Sequence, residues 1–160
     1  MSSPAAAPGS RILAQWNRLR RLPGGAWLFS RMLGRMVPYS GTIGARVLTL
    51  EPGHAVLALK DRRKVRNHLA SVHAIALANL GELTSGLATL TGLAGGVRGI
   101  VTRIEVEYRK KARGPLRAEA HVEIPTVSAP IDHEAVAEIF DASNEIVAVV
   151  RAFWRLSPPG

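Results

Sequence analysis

The chain has no cysteine among its 160 residues. This absence excludes a disulfide framework, a thiolate metal site and a cysteine nucleophile together. No apolar run reaches the roughly 18 residues that a membrane-spanning helix needs. The N-terminus also lacks a compact apolar segment followed by a small-residue cleavage site. We therefore predict one cytoplasmic domain, large enough to bury a proper core and without a membrane span.

Acidic residues are scarce in the first part of the chain. Residues 1–66 contain twelve Lys and Arg residues and two acidic residues, Glu51 and Asp61. Residues 67–160 contain nine Lys and Arg residues and ten acidic residues, so the excess positive charge behind the net charge of +9 lies in the N-terminal part. Such asymmetry occurs in proteins that bind nucleic acid, an anionic membrane or a phosphate-bearing ligand, although a solvated basic face is commoner. The few aromatic residues of this part lie at core-like spacing, so we predict no nucleic-acid partner.

The N-terminal segment predicts a tail followed by two short helices. Residues 1–9 are small or proline and have nothing to bury, which predicts a disordered tail. A helix with apolar residues at helical spacing then ends at residues 23–25, and a second amphipathic piece covers Trp27 to Val37. We expect residues 10–38 to pack on the main domain. The alternative is a basic amphipathic membrane anchor or a transit peptide.

Residues 39–158 predict an α+β domain with the order β, β, long helix and four further strands. The helix, predicted from Val72 to Leu90, is apolar nearly all round, which is typical of a buried helix. Such a helix needs an element wrapped around it, and an antiparallel sheet of five or six strands can curl over it. The predicted strands are residues 42–50, 55–59, 100–108, 116–127, 135–140 and 146–156.

One carboxylate, Glu82, lies inside this apolar helix. Glutamate is almost never fully buried unless it is paired or functional, because desolvating its charge is costly. Burial would raise its pKa toward neutral pH, which suits a general base or a carboxylate nucleophile. The alternative is a structural acid, satisfied by Asn79, Thr84, Ser85 or a basic residue.

Two stretches resemble a known family. Asn67, His73 and Glu82 stand six and nine residues apart within the block RNH…VHAIALANLGEL, and a basic turn follows Tyr108. These features are similar to the small hotdog thioesterases of the phenylacetyl-CoA type, and more closely to an uncharacterised branch of that superfamily. The resemblance covers residues 36–157. It implies the hotdog fold, with an N-terminal helical extension, and hydrolysis of an acyl-CoA or acyl-carrier thioester without a cofactor.

The resemblance also implies a homodimer or a dimer of dimers, in which one subunit supplies the carboxylate and the other the Asn. Glu82 would act as general base or nucleophile, and Asn67 would orient the water or the carbonyl. The backbone N–H groups of Ala74 and Ile75, at the start of the helix, would receive the oxyanion.

Further residues are expected to support the site. On one straight helix His73 and Glu82 lie roughly two and a half turns apart and face opposite ways, so they form no dyad and we expect His73 to be structural. Two basic segments are candidates for holding the phosphates of CoA, with a solvated loop as the alternative. The supporting candidates are Ser85 and Thr102, and the phosphate candidates are Arg62, Arg63, Lys64, Arg66, Lys110, Lys111 and Arg113.

Some positions depart from the family pattern. Ala74 and Ile75 replace a Gly-Gly pair, Glu82 replaces the usual Asp, and Val101 stands where a Ser or Thr often assists. These departures leave a second function open, a non-catalytic protein that binds acyl-CoA or fatty acyl groups. Asn67 has an alternative structural role as a cap at the start of the helix.

No metal site is predicted. The histidines outside the block, at positions 54, 68, 121 and 133, are scattered singly and show no metal-ligand spacing.

Overall fold

The computed structural model describes residues 8–159, which form one six-stranded antiparallel sheet, four helices and a single helical turn at residues 63–65. The strand order is β1-β2-β4-β5-β6-β3, so β1 and β3 are the edges. The strands are β1 (Arg46–Glu51), β2 (His54–Leu59), β3 (Arg98–Tyr108), β4 (Leu116–His121), β5 (Ile131–Phe140) and β6 (Ile146–Ser157). The helices are α1 (Pro8–Leu19), α2 (Gly25–Met36), α3 (Pro38–Gly41) and α4 (Ala74–Gly92).

The long helix α4 packs against the sheet, as the sequence predicted. Gly81 allows close contact, since a Cβ there would lie 2.3 Å from a methyl group of Val150 on β6. The hydroxyl groups of Thr84 and Thr89 are fully buried and donate to carbonyls one turn earlier, at 2.7 and 2.8 Å. Buried polar groups need such partners, so these threonines do not disturb the apolar packing of α4.

The N-terminal helices share the core of the domain. Trp16 of α1 and Phe29 of α2 are 4% and 1% exposed, and their rings meet edge to face at 5.2 Å. Ser30 fastens α2 to β1, because its hydroxyl accepts the N–H of Val47 at 2.9 Å and donates to Ala26 O. Helix α1 begins at Pro8, and residues 1–7 of the predicted tail lie outside the described residues. No helix within residues 8–159 is long and apolar enough to cross a membrane.

Several boundaries differ from the predicted ones. Strand β1 begins four residues late, because residues 38–41 form α3 and Gly44 has a left-handed φ of 62°. Strand β4 ends at His121 rather than at residue 127, before Pro125, which has no N–H to offer a sheet. Helix α4 begins at Ala74, because the preceding residue, His73, caps it.

The edge strand β3 leaves apolar side chains uncovered. Ile104 and Val106 pair with Ala152 and Val150 of β6, and Val150 points at α4, so this face of β3 lies on the helix side of the sheet. Even so, Ile104 and Tyr108 are 44% and 48% exposed. One end of the helix-covered face is therefore open.

Candidate active site

Glu82 lies on a stripe of α4 that the rest of the domain leaves partly open. Ile75, Ala78 and Glu82 are three and four residues apart and share a helix face. Ile75 is 55% exposed, and the other two are half-buried. Among residues 8–159 no side chain or backbone group forms a hydrogen bond or ion pair with the Glu82 carboxylate. Burial alone raises the pKa of Glu82. A raised pKa makes this carboxyl a better proton acceptor than an ordinary exposed glutamate.

The neighbours expected to satisfy a structural acid have other partners. The Ser85 hydroxyl donates to the backbone carbonyl of Glu82 at 3.1 Å, and that of Thr84 donates to Leu80 O. Asn79 Nδ2 lies 3.5 Å from Tyr39 O, while its Oδ1 is buried without a partner in the described part of the chain. Thus none of the predicted polar partners reaches the carboxylate.

Space beside the carboxylate comes from Gly86, one turn further on. A Cβ at Gly86 would lie 3.2 Å from the Trp154 ring and 3.9 Å from Glu82 Oε1. The glycine therefore keeps Glu82 and Trp154 free of a side chain between them.

Asn67 lies in a turn before α4 rather than at its cap. Its Oδ1 accepts the N–H of Leu69 at 2.9 Å, and the N–H and hydroxyl of Ser71 at 3.2 and 3.1 Å. These bonds hold the turn and leave the Nδ2 group available to donate. Glu82 lies eight residues into α4, which is about 12 Å along the helix from its first residue. Asn67 and Glu82 of one chain are therefore not brought together.

His73 is the residue that caps α4, so the expectation that Asn67 caps it is wrong. His73 Nδ1 accepts the Ile75 N–H at 3.1 Å. Of the two predicted oxyanion donors, Ile75 N–H is thus already bonded, whereas Ala74 N–H has no acceptor within residues 8–159. The Ala74 carbonyl accepts the Tyr108 hydroxyl at 2.9 Å, which ties β3 to the start of α4.

Two cavities flank the start of α4. One, of about 210 Å³, contains Lys64, Arg66, Ile75 and Asn79, and the other, of about 240 Å³, contains Asn67, Ala74, Tyr108, Lys110 and Lys111. Glu82 lines neither. The site residues thus surround the helix start, and Glu82 lies outside the two cavities there.

The two predicted phosphate-binding segments meet in space. Gly114 N–H donates to Asp61 Oδ2, and Val72 N–H to Ala112 O, both at 2.8 Å. Some of the basic side chains are engaged: Arg62 with Ile43 O, Arg66 with Asp61, Arg113 with Leu69 O, and Lys110 with Asp141 and Glu145. Those without a partner among residues 8–159 are Arg63, Lys64 and Lys111. They are the side chains most open to a phosphate.

The hydroxyl group of Thr102 is not directed toward Glu82. Thr102 lies at the irregularity in β3 where the pairing with β6 shifts, and its Oγ1 donates to Phe153 O at 3.2 Å. In this arrangement Thr102 stabilises the sheet.

A histidine pair that spacing alone did not reveal lies on the outer face of the sheet. His54 of β2 and His121 of β4 are register partners, and their rings stack at 4.0 Å. Both Nε2 atoms contact Glu119 Oε1, at 3.0 and 3.1 Å, and Arg117 binds the other carboxylate oxygen. Their ligand atoms lie within 4.8 Å of one another, so these three residues are the described group best placed for a metal ion. Nothing in the described chain tests whether an ion binds there, so the absence of a metal site stays a prediction.

Comparison with known proteins identifies the family. The family described as a domain of unknown function, DUF4442, matches residues 25–156. No curated protein matches the chain.

Several solved structures resemble the chain over most of its length. A structural-genomics protein, APC5556, is 28% identical with a TM-score of 0.79, covering 93% of this chain and 97% of its own. The protein PA5026 from Pseudomonas aeruginosa, described as of unknown function and a probable thioesterase, is 25% identical with a TM-score of 0.73, covering 85% and 96%. The PaaI protein from the phenylacetic acid degradation operon of E. coli is 17% identical with a TM-score of 0.66, covering 81% and 91%.

These likenesses confirm the predicted hotdog fold, in which an antiparallel sheet packs on one long helix and which thioesterase-family structures share. The family match spans most of the chain. The chain belongs to the DUF4442 family and is a hotdog protein of the thioesterase-like kind.

Proposed function

We propose that the chain is an acyl-CoA thioesterase that works as a homodimer, with Glu82 as its general base. The single observation that carries the proposal is a half-buried glutamate without an ionic or hydrogen-bond partner in the described chain. A desolvated, unpaired carboxylate inside an apolar helix costs stability, and such groups are found where chemistry uses them. The likeness to PA5026, described as a probable thioesterase, supports the same reaction class.

The reaction would proceed by activation of water. Glu82 takes a proton from a water molecule as the water oxygen attacks the thioester carbonyl. The negative charge that develops on the carbonyl oxygen is received by N–H donors, for which Ala74 N–H and Asn67 Nδ2 of a second copy of the chain are available. The carbon–sulfur bond then breaks, and the thiolate takes up the proton held by Glu82. The products are a carboxylic acid and a free thiol.

A second copy of the chain would complete the site. Glu82 and Asn67 lie apart in one chain, and the surface around the start of α4 and along β3 is apolar. Ile75, Ile104 and Tyr108 are 55%, 44% and 48% exposed. An unpaired edge strand beside such side chains favours association. Docking of a second copy there would bring its Asn67 to this Glu82 and enclose the substrate between the chains.

The experiment is a hydrolysis panel of acyl-CoA thioesters with purified wild type, Glu82→Ala and Glu123→Gln. Glu123 is exposed and lies outside the three cavities described, which makes it a matched control. We expect turnover of at least one thioester, a loss of about a hundredfold or more in Glu82→Ala, and unchanged rates in the control. Absence of turnover across the panel, or full activity in Glu82→Ala, contradicts the proposal.

One observation favours a second candidate, a non-catalytic acyl-CoA or fatty-acyl binding protein. The Ile75 N–H is occupied by His73, which leaves the start of α4 with fewer oxyanion donors than the resemblance implies. Binding without turnover would raise the melting temperature with acyl-CoA, equally in wild type and Glu82→Gln. A melting temperature that no acyl-CoA changes contradicts this alternative.

A further inference from the structure

A third cavity, separate from the candidate active site, lies where the N-terminal helices meet the sheet. It has a volume of about 380 Å³ and is walled by α2, β1 and the chain between α3 and β1. We call it the arginine-rimmed cavity, after the four side chains Arg31, Arg35, Arg46 and Arg62 that line it. All four are solvent-exposed, so they lie at the mouth.

The floor of the arginine-rimmed cavity is apolar. Leu33, Val47 and Leu57 close its base and are 4%, 1% and 0% exposed. The apolar side chains accessible within the cavity are those of Trp27, Val37 and Leu83. Small residues keep the space open. A Cβ at Gly41 would lie 2.2 Å from Gly34 O, so the backbones of α2 and α3 touch beside the cavity.

The charge of the rim is uncompensated. No acidic residue lines the cavity, and Arg31, Arg35 and Arg46 have no carboxylate partner within residues 8–159. Arg62 is held in place by a hydrogen bond from its Nη2 to Ile43 O at 2.6 Å. Guanidinium groups bind carboxylates and phosphates through short, charge-assisted hydrogen bonds. The mouth is thus complementary to an anion, and the floor is complementary to a hydrocarbon.

We propose that the arginine-rimmed cavity binds an amphipathic anion, an acyl chain with a carboxylate or phosphate head. The head lies on the guanidinium groups, and the chain lies against the accessible apolar side chains of Trp27, Val37 and Leu83. The volume is near the lower end of the range for small-molecule sites, which fits a chain of modest length.

The arginine-rimmed cavity shares only Arg62 with the residues assigned to the proposed thioester site, and the Arg62 guanidinium already donates to Ile43 O. The cavity's only residue on α4 is Leu83, which points about 100° away from Glu82 around the helix. Asn67 and Ala74 lie outside it as well. The site therefore stands whether or not Glu82 catalyses a reaction, and Glu82→Gln should bind the same ligand unchanged.

The test is a titration with decanoate, with decanol as the uncharged probe of the same chain length. Wild type should bind decanoate at least tenfold more tightly than decanol. The double variant Arg31→Gln and Arg46→Gln should bind decanoate at least tenfold more weakly than wild type. Arg18 is exposed on α1 and lies away from the cavity, so Arg18→Gln should bind decanoate as wild type does. Equal affinity for the two probes, or no effect of the double variant, overturns the proposal.

Two further variants locate the ligand and guard against misfolding. Ala45→Leu fills the cavity without changing its charge, so it should abolish binding while circular dichroism stays unchanged.

Trp27 lines the cavity and is 58% exposed, whereas Trp16 and Trp154 are buried. A decanoate brominated along its chain should quench fluorescence in wild type and not in Trp27→Phe. Quenching that persists in Trp27→Phe places the ligand elsewhere and contradicts the proposal.

Two binding experiments, one with free decanoate and one with phosphatidylglycerol vesicles, distinguish the source of the anion. Binding to free decanoate with none to phosphatidylglycerol vesicles assigns a free acid, and vesicle binding that the double variant abolishes assigns a lipid. Binding to neither overturns the proposal. Coenzyme A without an acyl chain should not compete with decanoate, and competition would contradict a site separate from the substrate's phosphates.

Discussion

Glu82 and Glu119 are both half-buried glutamates, but they have opposite surroundings. Glu119 is bound by His54, His121 and Arg117 on the outer face of the sheet, and these contacts, with the His54 hydrogen bond as the largest, lower its pKa. Glu82 is bound by nothing in the described chain, and burial raises its pKa. The comparison shows that partners, rather than depth alone, decide which carboxylate stays charged. Glu119 is stable as an anion, and Glu82 is kept ready to accept a proton.

The largest expected difference between the two glutamates is in activity. Glu82→Gln should lower kcat/KM for an acyl-CoA thioester by about a hundredfold or more, because glutamine cannot accept the proton of water. Glu119→Gln should leave kcat/KM within about twofold, since this residue lies on the opposite face of the sheet. Steady-state kinetics of both variants against wild type checks this, and a similar loss in both would remove the distinction.

Giving Glu82 a partner should make it resemble Glu119. Ala78 lies one turn before Glu82 on the same stripe of α4, so Ala78→Lys places an ammonium group next to the carboxylate. The lysine should lower the pKa of Glu82 and reduce kcat/KM by about tenfold, because a stabilised carboxylate is a weaker base.

The matched control for this substitution is Ala78→Gln, which has similar bulk and no charge. It should retain most of the activity. If the two variants lose activity equally, crowding and not charge explains the effect.

Removing the charge of Glu82 should stabilise the fold. Because burial raises the folded-state pKa of Glu82, the folded state favours the protonated form. The stability that the protonated Glu82 carboxyl contributes is fully present below the ordinary pKa of 4.5. It is lost as pH rises through the raised pKa of the folded state. Glu82→Gln should therefore raise Tm at pH 7 by about 2–4 °C, the size of a gain of about 1 kcal/mol at this chain length. The gain should vanish near pH 4 in thermal scans, and a destabilised Glu82→Gln at pH 7 would argue for an unseen partner.

The smallest effect is expected for Glu119. Its folded-state pKa is lowered, so its contribution is present above the ordinary value of 4.5 and is lost as pH falls through the lowered one. Because the ion pairs are partly exposed, Glu119→Gln should cost only about 0.5 kcal/mol at pH 7. Urea unfolding at pH 7 and pH 3 measures this, and a cost that persists at pH 3 would assign the loss to packing instead.

Much of the fold could be predicted from the sequence, because alternation and helical periodicity are local signals. The order of two strands, helix α4 and four strands follows from them, as does the hairpin at residues 141–144. The end of β4 could not be placed, because residues 122–127 alternate like a strand and yet leave the sheet before Pro125. Helix α3 was missed because four residues carry no periodicity.

The site was predicted only in part, for a physical reason. A carboxylate inside an apolar helix is visible in the sequence, so Glu82 could be singled out. The contacts of Asn67 and Ser71, and the capping of α4 by His73, depend on turn geometry that residue spacing does not fix. His54 and His121 meet only through the register of β2 with β4. Arg31, Arg35 and Arg46 line one cavity only through the packing of α2 on β1.

The most direct test of the account is the titration of the individual glutamate carboxyl carbons by NMR in the wild-type protein. We predict that Glu82 titrates above the ordinary value of 4.5 and Glu119 below it, with the kcat/KM profile rising through the Glu82 midpoint. A Glu82 midpoint at or below 4.5, or a kcat/KM that does not change across its titration, would contradict the assignment of Glu82 as the base.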